Sequence, residues 1–394
     1  MKITGIKATP VNIPLEVPFL FGVGTYPGDT KVVVEIFTDE GLVGLGEAPS
    51  PECARVINDR LGPALVGHDP IDIQACERAC VPDIQVMPNT GDNSLLRSFG
   101  GIEIGLWDLR GKAFGVPIYK LLGGAVRKHI PFAEYFSFRQ ERAGIGGERT
   151  AEEVAAYCAR MQDEYGSTAF EGKLQLGDPS LEIRSVKAIR EAIGPDALLR
   201  LDGNMSWSLP TARRILREIE PYDVRNYEDP AASFEHMAKL RQHSSISFST
   251  HTIDLGKAVR LGVPDFFVSN LAVHGGMLRT LRFVAACEKM GIGFWTFSGE
   301  TGIGIAAYLH LIAATQWITE PGQCILHWQT DDVIEEGPFC PRRNTVPVPQ
   351  GPGLGVTLAP ARLKRCHERF IQEGAYDFFR DPDAPGRYRR LPLH

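Results

Sequence analysis

Apolar and polar positions alternate along the first part of the chain, most clearly over Lys31 to Thr38 and Leu42 to Gly46. Asp39-Glu40-Gly41 separates these two runs and supplies a turn, so the pattern predicts a hairpin in a small antiparallel sheet. From Pro51 to about Gly124 the spacing moves towards the helical period, with Ile102 to Lys112 as the clearest stretch. Sheet followed by helix makes an α+β cap over about 1–125. From Lys128 onward β-rich runs alternate with amphipathic helical runs. The strands fall at Pro131–Phe138, Ala169–Gln175, Leu198–Asp202, Val224–Glu228, Ile246–His251, Phe266–Asn270, Ile292–Ser298 and Ile325–Thr330. Parallel βαβ units with eight strands predict a closed α/β barrel over 126–330. A doubly wound open sheet is the alternative, but no GxGxxG or GxxxxGK[ST] follows a strand here. The Pro- and Gly-rich segment 331–394 is expected to return to the cap.

Length agrees with two domains, since 394 residues exceed the usual size of one. A hydrophobic content of 43% and a charged content of 23% describe an ordinary globular chain. Lys and Arg total 42 against 48 Asp and Glu, for a net charge of -6, and no basic run tracks a phosphate backbone. Nucleic acid is therefore not an expected partner. The eight cysteines include no CxxC pair, so neither a zinc cluster nor a disulfide framework is expected. No apolar run of about 18 residues and no leader pattern occurs, which predicts a cytoplasmic protein without a membrane partner.

Barrel enzymes gather their chemistry at the C-terminal ends of the strands. Here the second strand ends in Glu171-Gly172-Lys173-Leu174-Gln175, the third in Asp202-Gly203-Asn204 and the fourth in Glu228-Asp229-Pro230. The fifth ends in His251, the sixth in Asn270 and the seventh in Ser298-Gly299-Glu300. Carboxylates at two neighbouring strand ends, next to a lysine on the strand before, predict a site for a divalent cation such as Mg²⁺. A single carboxylate of this kind would more simply cap the next helix. On a strand of period two, Glu171, Lys173 and Gln175 share one face.

In this order the residues resemble the enolase superfamily, of the mandelate racemase and muconate lactonizing enzyme type, and are nearest the acid-sugar dehydratases such as glucarate dehydratase. The resemblance rests on Phe37 to Ala48, Leu106 to Lys112 and Leu121 to Gly124 in the cap. In the barrel it rests on Leu201 to Asn204, Tyr227 to Pro230 and Gly299 to Gly304. It implies a modified TIM (β/α)7β barrel with an N-terminal α+β capping domain, and a homo-oligomer, dimer or octamer. It also implies a small-molecule carboxylate substrate whose α-proton is removed by Lys173 before water is eliminated. The metal ligands it implies are Asp202, Glu228 and His251, with Asp254 competing for the third place. His251 departs from the Glu, Asp or Asn usual there, which leaves room for Mn²⁺ or another divalent metal beside Mg²⁺.

Many racemases and acid-sugar dehydratases carry an Asp on strand six and a His on strand seven. Asn270 and Glu300 stand in those places here. Asn cannot take a proton, so the second acid/base is expected to be absent and racemisation is demoted behind dehydration. Glu300 is expected to assist catalysis, and capping of the helix after it is the plainer alternative. The lid loop over about 17–30, with Phe21 and Tyr26, is expected to shape the pocket together with Glu171, Gln175 and Asn204, and Tyr135, His274 and Trp295 are further candidates to line it. A cycloisomerase, a metal-dependent barrel hydrolase and a non-catalytic carboxylate-binding relative remain the other readings.

Overall fold

The computed structural model describes residues 1–82, 93–297, 299–381 and 384–394. Three antiparallel strands, Ile3–Phe21, Gly24–Thr38 and Val43–Ala48, open the chain. Their alternation buries Val32, Val34, Ile36 and Leu45 beneath the helix Ser94–Phe114. Close contact needs missing side chains. A Cβ on Gly46 would sit 2.9 Å from Gly105 N, and one on Gly105 would sit 2.8 Å from Ile36 Cδ1. The glycines thus let helix and sheet backbones approach. Asp108 on the same helix is fully buried and satisfied, accepting from Leu45 N at 2.8 Å and Leu354 N at 2.7 Å while pairing with Lys112.

Eight barrel strands follow: His129–Arg139, Ala169–Lys173, Leu198–Asp202, Asn226–Glu228, Ser247–Thr250, Phe266–Ser269, Gly293–Thr296 and Gly322–Gln323. Each neighbouring pair is parallel from the first to the seventh strand. Gln323 closes the ring, pairing with Ala133 of the first strand and Phe297 at the end of the seventh. The eighth strand is therefore not Ile325–Thr330 as the sequence pattern predicts. It is the pair before it, and Leu326–Trp328 forms a single 3-10 turn. Apolar composition cannot separate a two-residue closing strand from the buried turn that follows.

Seven major helices cover the outside: Ala151–Tyr165, Pro179–Ile193, Leu209–Ile219, Phe234–Arg241, Leu255–Leu261, Met277–Met290 and Gly302–Ala314. Helix starts are sequence-encoded. Thr150 and Glu153 form a reciprocal capping box, and Asp178, Ser233 and Asp254 cap their helices through side-chain oxygens. Cap and barrel are tied by Glu103, which accepts from Met277 N at 2.7 Å and Leu278 N at 2.9 Å.

The helix Pro360–Glu373 lies back on the first cap strand, with Arg369 Nη1 donating to Asn12 O at 2.9 Å. The tail then crosses the lid. Phe378 O accepts from Thr25 N at 3.1 Å, and Leu393 N donates to Ser206 O at 2.6 Å. Among the described residues no helix is long and apolar enough to cross a membrane.

Candidate active site

Asp202, Glu228 and His251 meet at the ends of the third, fourth and fifth strands, each offering a ligand atom within 4.8 Å of the others. Asp202 and Glu228 are completely buried. His251 Nε2 lies 2.5 Å from Glu228 Oε1, and apart from that contact neither Glu228 oxygen receives a hydrogen bond among the described residues. Burial, together with the charge on Asp202, drives the Glu228 carboxyl upward, while His251 opposes the shift. Burial works against the charge of His251, but Glu228, Asp229 and Asp202 together lift it to about 10. Two buried carboxylates this close call for a cation. Oxygen and imidazole donors on three successive strands fit a divalent metal.

The turns after the third and fourth strands are strained, and in the first of them Asn204 N donates to Asp202 Oδ1 at 2.8 Å. Asn204, Met205 and Asp229 have φ of 44°, 55° and 44°, a left-handed conformation uncommon for residues with a Cβ. Asp229 is not turned to the cluster. Its carboxylate accepts from Thr250 Oγ1 at 2.5 Å.

Lys173 ends the second strand and is only 8% exposed. Its Nζ donates to Asp202 Oδ2 in a very short contact and to Asn204 Oδ1 at 2.6 Å. It also lies 5.7 Å over the ring of Phe21, which carries the lid onto the barrel mouth. The lid is a hairpin whose first strand also pairs with the first barrel strand, Phe19 with Arg139 and Leu20 with Phe138. Tyr135 is buried where the charges of Asp202, Glu171 and Glu228 converge.

Other expected site residues fall elsewhere. Glu171 faces the barrel interior with Lys173 but is engaged by Arg200 Nη2 at 2.5 Å and by Gln323 Nε2 at 2.9 Å. Its carboxylate is a strut inside the barrel. Gln175 lies beyond the strand end, so the period-two rule does not reach it, and its amide sits beside Glu182 and Tyr227. Asn270 is the N-cap of Leu271–His274, its Oδ1 accepting from Val273 N at 2.9 Å, which gives this candidate a capping task at the end of the sixth strand. Asp254 caps the next helix through Lys257 N at 2.8 Å and stands outside the ligand cluster. His274 packs 4.7 Å from Phe283, and burial lowers it to about 4. Trp295 lies under Arg200 at 4.3 Å in the barrel core. Ser298 lies outside the described residues.

Glu300 is buried without capping a helix, a task performed by Thr301. Its carboxylate accepts from Gly299 N at 2.6 Å and Tyr308 Oη at 3.2 Å, with Lys31 Nζ at 3.6 Å. Lys31, Asp29 and Glu47 come from the cap, and Glu47 holds Thr301 N at 2.9 Å. The only sequence hint of this second polar cluster was a set of charged residues within the apolar cap strands. Phe297, 4.6 Å from His251 in an edge-on contact, was equally hidden.

A closed (β/α)7β barrel with a cap over its mouth thus brings two carboxylates and an imidazole together on consecutive strand ends beside a lysine. Residues 153–362 match the enolase C-terminal domain-like family, and residues 3–123 match the mandelate racemase / muconate lactonizing enzyme N-terminal domain. The chain belongs to this branch of the enolase superfamily. It is 27% identical to a probable glucarate dehydratase of Streptomyces coelicolor, over 95% of this chain and 93% of the relative. A chloromuconate cycloisomerase of Pseudomonas putida is also 27% identical, over 92% of this chain and 98% of the relative. An enolase of Pseudomonas fluorescens solved with magnesium, potassium and tartrate superposes with a TM-score of 0.85 at 25% identity, covering 95% of this chain and 93% of that one.

Proposed function

We propose that this enzyme is a divalent-metal-dependent hydro-lyase that removes the α-proton of a polyhydroxy carboxylate and then eliminates water. The observation that carries the reading is Lys173, the amine at the barrel mouth that touches Asp202 and Asn204 beside the ligand cluster. In its neutral form Lys173 takes the α-proton, and the Phe21 ring beside it limits the water around the amine. A Mg²⁺ ion held by Asp202, Glu228 and His251, or Mn²⁺ in its place, would supply positive charge to stabilise the enediolate. Asn204 holds the Lys173 amine in line. Glu300, fixed by Gly299 N and Tyr308, borders the pocket from the seventh strand.

Racemisation needs an acid or base on each face of the α-carbon, and with Asn270 consumed as a helix cap the sixth strand does not provide one. Cycloisomerisation also proceeds with one base, and the cycloisomerase likeness keeps it as the second reading. Incubating the Mg²⁺-loaded enzyme with D-glucarate, tartrate and a panel of other aldonic and aldaric acids is expected to yield 2-keto-3-deoxy products. Lactone formation from a muconate instead would favour the cycloisomerase. Inversion without loss of water would make the enzyme a racemase.

A further inference from the structure

Gly299 gives the end of the seventh strand no side chain, and the space is filled by two residues of the cap. A Cβ on Gly299 would meet Asp29 Oδ1 at 2.5 Å and Tyr26 Oη at 3.1 Å. Tyr26 donates to Asp29 in a short hydrogen bond. Strand register sets this placement, since Tyr26 pairs with Phe19 and Asp29 with Ile13. Phe19 stacks on the Tyr26 ring at 4.9 Å, and Phe378 of the C-terminal tail closes on it at 5.0 Å. Phe21 lies 6.5 Å from Tyr26 and carries Lys173 over its own ring, so phenol and amine flank one aromatic wall.

Asp29 is 2% exposed. Burial raises its carboxyl to about 7, Lys31 and Tyr26 pulling it down and Glu300 pushing it up. The groups facing it are Tyr26 and Lys31 from its own strand, Glu300 from the seventh-strand end and Gln329 from the segment after the eighth strand, with Glu47 acting on Lys31. A buried carboxyl that titrates near neutrality keeps a transferable proton at working pH.

We propose that Tyr26 and Asp29, which occupy the space beside the side-chain-free seventh-strand end, act as a two-membered proton donor to the departing hydroxyl. The proposal rests on the dehydratase reading. In the step, the β-carbon–oxygen bond breaks and its electron pair leaves with oxygen. With Asp29 protonated the bond between the pair is reversed, the carboxyl donating to the Tyr26 oxygen, and the phenolic proton so released passes to the departing oxygen to make water. The proton of the Asp29 carboxyl passes to the Tyr26 oxygen, so Tyr26 stays neutral and Asp29 ends ionised. The α-proton meanwhile resides on Lys173, and exchange with solvent restores both groups. The enol that remains tautomerises to the 2-keto-3-deoxy acid.

Tyr26→Phe and Asp29→Asn test this in the full-length, Mg²⁺-loaded enzyme with D-glucarate, tartrate and the acid panel in D₂O. Both variants are expected to retain Lys173-dependent exchange of the α-proton while elimination falls by about 100-fold or more. Wild-type elimination is expected to decline above about pH 7, and that limb disappears in Asp29→Asn. The infrared carboxyl band lost in Asp29→Asn gives a reading without substrate, and it is expected to titrate near neutrality. Wild-type elimination rates with an unchanged pH profile in both variants would overturn the proposal, as would an Asp29 ionised from about pH 5 upward. A wild-type enzyme that neither exchanges nor eliminates any acid of the panel would overturn the dehydratase reading, while the infrared titration still judges the pair itself.

Discussion

Glu228 Oε1 and His251 Nε2 stand 2.5 Å apart, projecting from adjacent strand ends into a buried space that also holds Asp202. Without a metal the imidazole compensates Glu228 and the Lys173 ammonium compensates Asp202, and His251 is the least buried member of the cluster. Metal binding and stability are therefore coupled at this point.

Glu228→Gln removes a buried charge whose ionisation the fold opposes. The metal-free variant is nevertheless expected to melt below the metal-free wild type, because the protonated His251 loses the carboxylate that lifts it to about 10, which outweighs the relief of burial and of repulsion from Asp202. Its Mg²⁺ affinity should fall by more than the roughly 10- to 100-fold that outer-shell changes cost. Calorimetric titration with Mg²⁺ and melting curves with and without the ion check both signs. A variant as responsive to Mg²⁺ as wild type would exclude Glu228 from the ligands.

Lys173→Ala is expected to abolish α-proton exchange, by at least the roughly 10²- to 10⁴-fold usual for a general base. The same change leaves Asp202 without its ammonium partner, so the metal-free protein should lose stability and Mg²⁺ should restore much of it. Exchange measured by NMR and melting measured in parallel separate the catalytic loss from unfolding.

Glu171→Gln is a stability variant. Glu171 and Arg200 are both 0% exposed, so the change strands a buried guanidinium and is expected to cost about 3–5 kcal/mol. Replacing both residues with apolar ones of similar volume should recover part of that. Chemical denaturation decides, and a loss of activity without a loss of stability would instead place Glu171 in contact with substrate.

Stability of the metal-free enzyme should fall as pH rises from about 6.5 to 8.5. Burial raises Glu103 and Glu182 to about 7, so between their unfolded value near 4.5 and about 7 the folded state holds the extra protons. His251, lifted to about 10, keeps its proton in the folded state well above its unfolded value of 6.5, so its contribution is lost as pH climbs towards 10. Both slopes are negative above 6.5. On the acid side His274 and His310, lowered to about 4 by burial, take up protons only on unfolding, which offsets part of the fall from Glu103 and Glu182 between about 4.5 and 6.5. Scanning calorimetry across this range checks the sign, and saturating Mg²⁺ is expected to flatten the alkaline decline.

The chain's own order of residues determined the barrel class, because period-two and period-3.6 runs alternate and because caps such as Thr150 and Asp178 act over three or four positions. It also determined that Asp202, Glu228 and His251 could meet, since strand ends are local features and parallel strands align them. What only the tertiary structure decided depends on partners distant in sequence. Glu171 has the same strand position relative to Lys173 that a site residue would have, yet Arg200 and Gln323 hold it inside the barrel. Gln323 closes the ring from two residues, too few to carry a period. Asp29 and Tyr26 belong to the cap and reach Gly299 only because the cap settles on the barrel mouth. Local rules see spacing along the chain, whereas burial, desolvation and charge pairing are set by which distant segments the fold presses together.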